Sequence, residues 1–175
     1  MAKAKQQPVL SSPLLAKEAF ERDLEKVLKR RGNSLSDLRW ERLGDLCLFV
    51  PVIGRVPGSE TVDQYLVKLE FGYYPEWPPS TIFVNPNTRS YDLAKDKCWL
   101  PSVVDCTEFR VHDNYQQVGQ VVCSSVTLEF YKVLHDVKPE HVWNPEKQNF
   151  GHTIYQVEWA LNSSFHKGRQ SALAA

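Results

Sequence analysis

A proline-rich stretch, Tyr74-Pro75-Glu76-Trp77-Pro78-Pro79, constrains this chain more than any other part of its sequence. Pro78 and Pro79 fix two φ angles, and Pro78 also keeps Trp77 out of the helical region. We therefore expect a rigid, extended loop that aims Trp77 and leads into a strand. Taken alone, the same six residues are equally well explained as a stiff turn with a purely structural role.

A helix and two strands are predicted before this turn. Ser12 provides a capping hydroxyl, Pro13 suits the first helical position, and Gly32 marks the end of the helix. Between them, apolar residues recur at helical spacing: Ala16, Phe20, Leu24, Val27 and Leu28. Residues 45–53 and 62–71 form two strand-like runs, and the loop between them contains Pro57 and Gly58.

A short strand, an irregular run and two helices are predicted after the turn. The strand covers residues 81–84, and residues 85–114 show no clean period. Valines and a phenylalanine four residues apart predict a helix over 115–134, and Thr153 with Gln156 resembles a capping box for a third helix that ends at Gly168. This order predicts an α+β fold with an N-terminal helix, an antiparallel four-stranded meander and two C-terminal helices on one face. The domain is predicted to span 12–168, between flexible tails at 1–11 and 169–175.

The composition excludes several classes of function. The 175 residues contain 21 Lys and Arg against 21 Asp and Glu, and a chain without basic excess is a poor nucleic-acid binder. We see no secretory signal and no apolar run of membrane-spanning length, so we expect a cytoplasmic protein with reduced thiols and no membrane partner. The four cysteines form no C-x-x-C pair, which argues against a zinc ribbon or a thioredoxin motif.

Cys98 lies in the irregular run, 24 positions after Tyr74. The helix, the hairpin-linked strands, the Tyr-Pro-x-x-Pro-Pro turn, the third strand and a cysteine at this spacing together resemble the ubiquitin-conjugating enzyme (UBC-like) superfamily. The resemblance covers residues 12–166. The turn alone is less specific, because non-catalytic relatives such as RWD domains share it.

The resemblance implies a transferase that works through a cysteine thioester and needs no cofactor. Cys98 would accept the carboxyl terminus of a ubiquitin-like protein from an adenylating, ThiF-like activating enzyme, and would then pass it to an amine on a target, with or without a ligase. The reactive thiolate must be accessible. Lys95, Asp96 and Lys97 precede Cys98 and indicate an exposed and partly electropositive setting.

The sequence departs from the family just before the cysteine. The family's His-Pro-Asn tripeptide is missing, because residues 88–92 contain no Asn and the pair Pro86-Asn87 comes early. Either another residue supplies the oxyanion donor, or transfer is poor or absent.

Some divergent and bacterial members use a histidine downstream of the cysteine, and His112 is the candidate here. Its alternative is a helix-start residue bonded to the backbone. Asp92 is a candidate to orient an incoming lysine, or else a solvated loop carboxylate.

The other cysteines rank lower. Cys106 has acidic neighbours, Asp105 and Glu108, which disfavour a thiolate, and is better explained as a small buried residue. Cys47, in an apolar strand, and Cys123, in a predicted helix, are expected in the core.

Two surfaces are candidates for partner binding, because in the family the first helix meets the activating enzyme and the proline-rich loop meets ligases. On the first helix the candidates are basic residues, which are otherwise explained as ordinary solvated charge: Lys17, Arg22, Lys26, Lys29 and Arg30. In the loop, Glu76 and Trp77 hold the variable positions. Trp77 is either an exposed anchor for a partner or a cover for the edge of the core.

Two rival functions remain at this point. One is a catalytically inactive binding module of the same fold, which the missing tripeptide favours. The other is an unrelated thiol hydrolase, which would require one of the five histidines beside Cys98.

Overall fold

The computed structural model describes residues 7–133 and 138–170. Its regular elements are, in chain order, α1 (Pro13–Arg31), β1 (Glu41–Arg42), β2 (Cys47–Arg55), β3 (Val62–Glu70), β4 (Ser80–Val84), β5 (Pro101–Val103), β6 (Arg110–His112), β7 (Val121–Cys123), α2 (Leu128–Lys132), α3 (Phe150–Leu161) and β8 (His166–Arg169). Short 3-10 helices lie at Lys97–Trp99 and Pro139–His141, and a tight turn lies at Tyr115–Gln117.

The main sheet is an antiparallel meander in the order β1-β2-β3-β4. Along β2, Leu48, Val50 and Val52 are buried on one face, while Pro51 and Ile53 on the other face are exposed; Phe49, also on that other face, is covered by the Arg89 guanidinium group. Because side chains alternate across a strand, one face of the sheet is packed and the other meets solvent. The prediction of an α+β protein with a four-stranded antiparallel sheet is therefore confirmed.

Helix α1 begins and ends where the sequence predicts. The Ser12 hydroxyl accepts a hydrogen bond from the Leu15 amide, Pro13 follows it, and Gly32 ends the helix in the left-handed region at φ +65°. The apolar stripe packs on the sheet, and the Phe20 and Phe71 rings lie 4.2 Å apart. Phe150 of α3 contacts both rings, so α1 and α3 share one core on the packed face.

The Tyr74–Pro79 turn is part of this core. Tyr74 is fully buried, and its hydroxyl donates a 2.5 Å hydrogen bond to Asp23, a buried carboxylate on α1. Burial raises the pKa of Asp23, but hydrogen bonds from Arg22, Tyr74 and Lys26 outweigh it, so that the pKa lies below its usual value. The turn is thereby linked to α1 through the buried hydrogen bond between the Tyr74 hydroxyl and the Asp23 carboxylate.

The helix predicted over residues 115–134 is wrong. This stretch contains the turn at Tyr115–Gln117, strand β7 and only the five-residue helix α2, and β7 pairs with β6 in a separate two-stranded sheet. Gln116, Gln117 and Gly119 have positive φ angles of 46°, 65° and 105°, which interrupt a helix. Val118, a member of the predicted apolar stripe, is exposed at the tip of the loop.

The third helix lies earlier than the sequence predicts. Its cap is Asn149, which forms a capping box with His152, whereas Thr153 is buried and donates to the carbonyl of Val126. The helix ends at Leu161, and the chain then forms β8, which pairs with β5. Arg169 belongs to this strand, and the Gln170 amide donates to the Leu100 carbonyl. The ordered domain thus extends to at least residue 170, beyond the predicted end at 168.

Most residues of the two predicted tails, 1–6 and 171–175, lie outside the described residues. Ser11 belongs to the predicted N-terminal tail, and its backbone amide donates to the Gly72 carbonyl. Within the described ranges, no helix is both long and apolar enough to cross a membrane.

Candidate active site around Cys98

Cys98 lies on the short 3-10 helix Lys97–Trp99, between the loop that follows β4 and the start of β5. Its thiol is free and the residue is half-buried. Such short helices have weak internal hydrogen bonding, so their position depends on outside contacts. The geometry of this site is therefore set by the residues that hold this helix.

Asp96 holds the loop just before the helix. Its side chain is buried, and its two oxygens accept hydrogen bonds from the Asn85 amide group at 2.7 Å and from the Asp92 backbone amide at 2.8 Å. A carboxylate that accepts two such bonds fixes both ends of the loop that it spans. Sequence reasoning gave neither Asp96 nor Asn85 a structural role.

Asp92 makes local contacts. Its side chain is exposed and accepts a hydrogen bond from the Ala94 amide, and Lys95 lies 3.9 Å away. These contacts form a side-chain-stabilised turn of the kind that Asp favours. The role of Asp92 in orienting an amine remains a prediction.

His112 lies at the end of strand β6 and not at the start of a helix. Its ring is tilted against that of Tyr115, with the centroids 5.0 Å apart. The neighbours of Cys98 and His112 form an ion pair, in which the Lys97 ammonium and the Asp113 carboxylate are 2.7 Å apart. This hydrogen bond from Lys97 lowers the pKa of Asp113. The structure thus joins the segments that carry the two predicted catalytic residues.

Arg169 adds a second cation near Cys98. Its guanidinium group lies over the Trp99 ring, 4.7 Å from the centroid, and donates a long hydrogen bond of 3.4 Å to the Cys98 carbonyl. Lys97 and Arg169 are each paired with a carboxylate, Asp113 at 2.7 Å and Asp63 at 3.1 Å, so the electropositive setting of Cys98 remains a prediction. The contribution of Arg169 was missed, because residue 169 was assigned to a flexible tail.

The remaining cysteines differ from Cys98 in their surroundings. Cys106 is fully buried, with its sulfur 3.7 Å from the Glu108 carboxylate, as expected for a structural residue. Cys47 and Cys123 are half-buried rather than in the core, and Cys123 lies on β7 rather than on a helix. Burial raises the pKa of both of these thiols.

The predicted basic surface on α1 is partly neutralised. Lys17 pairs with Asp45 at 3.0 Å, and Arg22 and Lys26 both pair with Asp23. Lys29 and Arg30 are exposed at the C-terminal end of the helix.

The proline-rich loop instead adjoins an apolar surface. Trp77 is half-buried against Tyr131, with ring centroids 5.2 Å apart, while Glu76 is exposed. Trp77, Glu76 and Leu15 line a groove of about 240 Å³ together with residues 7 and 9–11. Exposed Leu14 is the chain neighbour of Leu15.

The described residues contain no cluster of three or more His, Cys, Asp or Glu side chains placed to hold a metal ion. Comparisons with protein-family models, curated proteins and solved structures find no significant match to this chain. Chemically, the arrangement presents a half-buried cysteine on a short helix held from several sides, near two cationic side chains that are each paired with a carboxylate.

Proposed function

We propose that this protein is a thioester-forming transferase with a UBC-like fold. Cys98 accepts the C-terminal acyl group of a ubiquitin-like protein from an activating enzyme and transfers it to an amine. The element order supports this proposal: a capped N-terminal helix, a four-stranded antiparallel meander, a buried Tyr-Pro turn and then a loop cysteine. The β6–β7 pair after the cysteine departs from the expected helix.

The observation that carries the proposal is the difference between the two cysteines of the loop region. Cys98 is half-buried on a short helix, whereas Cys106 is fully buried. Cys47 and Cys123 are half-buried as well, but they lie on sheet strands and burial raises the pKa of their thiols. An acyl carrier needs a thiol that a large partner can approach, because the carbonyl carbon must come within bonding distance of the sulfur. Of the two thiols, the proposal assigns this role to Cys98, because Cys106 is fully buried.

The proposed chemistry balances without a cofactor. The Cys98 thiolate attacks the thioester carbonyl on the activating enzyme, and the enzyme's thiol leaves with a proton equivalent to that lost by Cys98. An amine then attacks the Cys98 thioester, loses a proton and releases the thiol. His112 is the candidate acceptor of the amine proton or donor to the oxyanion, and Asp92 the candidate to orient the amine.

The partner surface of this proposal is the apolar groove beside Trp77. Leu14 and Leu15 on α1 are exposed next to the loop that carries Glu76 and Trp77. Contiguous apolar surface of this kind is typical of protein-binding sites. Lys29 and Arg30 are exposed at the other end of the helix and form a separate basic contact for the activating enzyme.

A charging assay tests the proposal. The protein is incubated with ATP, an adenylating activating enzyme and its ubiquitin-like protein, and adducts are separated with and without reducing agent. We expect a thiol-sensitive adduct that Cys98→Ala abolishes, that Cys98→Ser converts to a reductant-resistant ester, and that Cys47→Ala and Cys123→Ala leave intact. An adduct that survives Cys98→Ala contradicts the assignment.

One observation favours an inactive binding module as the second candidate. The early Pro86-Asn87 pair lies on an exposed turn, where the Asn87 backbone amide donates to Asn85 Oδ1 at 2.9 Å, and no asparagine stands directly before Cys98 as the family tripeptide would place it. Iodoacetamide labelling of the folded protein separates the two candidates: a module with no use for its thiol would label Cys98 as slowly as the buried Cys106.

A further inference from the structure

The C-terminal strand β8 reaches across the molecule to the Cys98 helix. From this strand, the Arg169 side chain donates hydrogen bonds to the Asp63 carboxylate at 3.1 Å, to the Gln64 carbonyl at 2.8 Å and to the Cys98 carbonyl at 3.4 Å. One guanidinium group thus links strand β3 of the main sheet to the backbone of the candidate nucleophile.

The next residue, Gln170, joins the two segments of the candidate site. Its backbone amide donates to the Leu100 carbonyl at 2.8 Å, and its side-chain amide donates to the carbonyls of Pro101 at 3.1 Å and Val111 at 3.3 Å. Pro101 follows the Cys98 helix and Val111 precedes His112. Gln170 therefore bridges the backbone on the Cys98 side to the backbone on the His112 side.

The start of β8 is buried in the core, and this holds the backbone of Arg169 and Gln170 in place. His166 is fully buried, and its Nε2 lies 2.9 Å from the Tyr65 hydroxyl. The strand approaches the sheet so closely that a Cβ at Gly54 would lie only 2.8 Å from His166 Cε1. Gly54 has no side chain, and this permits the close approach.

We infer that Arg169 and Gln170 are positioning residues that hold Cys98 beside the strand of His112. Their catalytic meaning rests on the proposed function, while their effect on the thiol is measurable without it. Both act on backbone carbonyls around a 3-10 helix whose own hydrogen bonds are weak, so their loss frees the helix and exposes the thiol.

The test is iodoacetamide labelling of each cysteine in the folded protein, read by peptide mass spectrometry across a pH series. The variants are Arg169→Gln, Arg169→Lys and Gln170→Ala, with Lys167→Gln as the matched control, because Lys167 is an exposed cation on the same strand. We expect Arg169→Gln and Gln170→Ala to label Cys98 about three- to tenfold faster, the range that loss of one or two hydrogen bonds gives. Lys167→Gln should label at the wild-type rate.

The pH series separates position from charge. Gln170→Ala should raise the labelling rate without moving the midpoint of its pH profile, because no charge is removed. Arg169→Lys keeps the charge and loses the forked geometry, so it should keep the midpoint and restore part of the wild-type rate.

Two results overturn the inference: wild-type labelling of Cys98 in both Arg169→Gln and Gln170→Ala, or equal acceleration of Cys47, Cys106 and Cys123, which would mean general loosening. The charging assay is read separately. If the wild type never forms a thioester while the variants accelerate labelling as expected, the proposed function fails and the positioning of the thiol stands. If charging occurs and neither variant slows it, the positioning role fails.

Discussion

The turn at Tyr74 and the helix at Cys98 are both short irregular segments next to a strand of the main sheet, but different interactions hold them. Tyr74 is buried whole in the core and donates its hydroxyl to a carboxylate on α1. Cys98 is half-buried, and the segment around it is held mainly by hydrogen bonds between side chains and the backbone: Arg169 donates to the Cys98 carbonyl, and Asp96 accepts from the Asp92 amide.

Because of this difference, we expect changes at the turn to lower the stability of the fold and changes near Cys98 to alter mainly the accessibility of its thiol. A buried aromatic ring contributes several kcal/mol, so changes at the turn affect the whole fold. Hydrogen bonds to loop carbonyls contribute about 1 kcal/mol each, so changes near Cys98 alter local position while the core stays folded. In the proposed transferase, the Cys98 helix can therefore shift locally with only a small loss in the free energy of unfolding of the domain.

The largest expected effect is that of Tyr74→Ala. It removes a fully buried ring and the partner of buried Asp23, and we expect the free energy of unfolding to fall by about 3–5 kcal/mol. Urea denaturation measures this. Tyr155→Ala, at an exposed tyrosine on α3, is the control and should change stability by no more than about 0.5 kcal/mol. Similar losses in both variants would contradict the role of the turn.

Asp23→Ala should cost about 2–3 kcal/mol at pH 7, because it leaves the buried Tyr74 hydroxyl without its acceptor. The folded-state pKa of Asp23 is lowered, so its contribution is present above the unfolded value near pH 4 and is lost as pH falls through the folded value. The difference between wild type and variant should therefore shrink in acid. The exposed ion-pair residue Asp45 offers the control: Asp45→Ala should cost less than about 1 kcal/mol at any pH.

Asp96→Ala should have a smaller and more local effect. It removes the acceptor of the Asn85 side chain and the Asp92 amide, at a cost of about 1–2 kcal/mol. We expect faster hydrogen exchange across residues 92–98 and faster alkylation of Cys98, with unchanged exchange in β2 and β3. Asp92→Ala is the comparison variant, and equal effects of the two would show that burial of Asp96 is unimportant.

The smallest expected effect is at Glu129, which accepts hydrogen bonds from the Ser80 hydroxyl and the Thr81 amide just after the proline-rich turn. Burial raises the pKa of Glu129, although these bonds oppose it. Stability from this group is therefore fully present below the unfolded pKa and is lost as pH rises through the raised folded value.

Glu129→Gln removes the titrating carboxyl group, so it should remove this pH dependence. The amide that replaces it still offers an acceptor for the Thr81 amide and a partner for the Ser80 hydroxyl. At pH 7 we expect it to match the wild type or exceed it by up to about 1 kcal/mol. Thermal unfolding between pH 4 and 8 measures the slope. A variant that keeps the wild-type slope would show that another group titrates.

Prediction from sequence succeeded where local signals and burial agree. The capping residues of α1 and the alternating pattern of β3 mark elements whose boundaries the structure reproduces closely. It failed at residues 115–134, because valines spaced four apart fit a helix while β7 gains hydrogen bonds from β6 that no local pattern reveals. Gly119 within the predicted helix was the available warning.

For the candidate site, the sequence by itself identified the candidate cysteine, its spacing along the chain from the proline-rich turn and the lysines next to it in sequence. Only the tertiary structure decided that Asp96 is buried beneath that loop and that Arg169 and Gln170 hold it from the other end of the chain. The physical reason is the nature of the contacts. Burial patterns and caps are set by near neighbours, whereas a side chain that bonds to a distant backbone carbonyl leaves no trace in the sequence around that carbonyl.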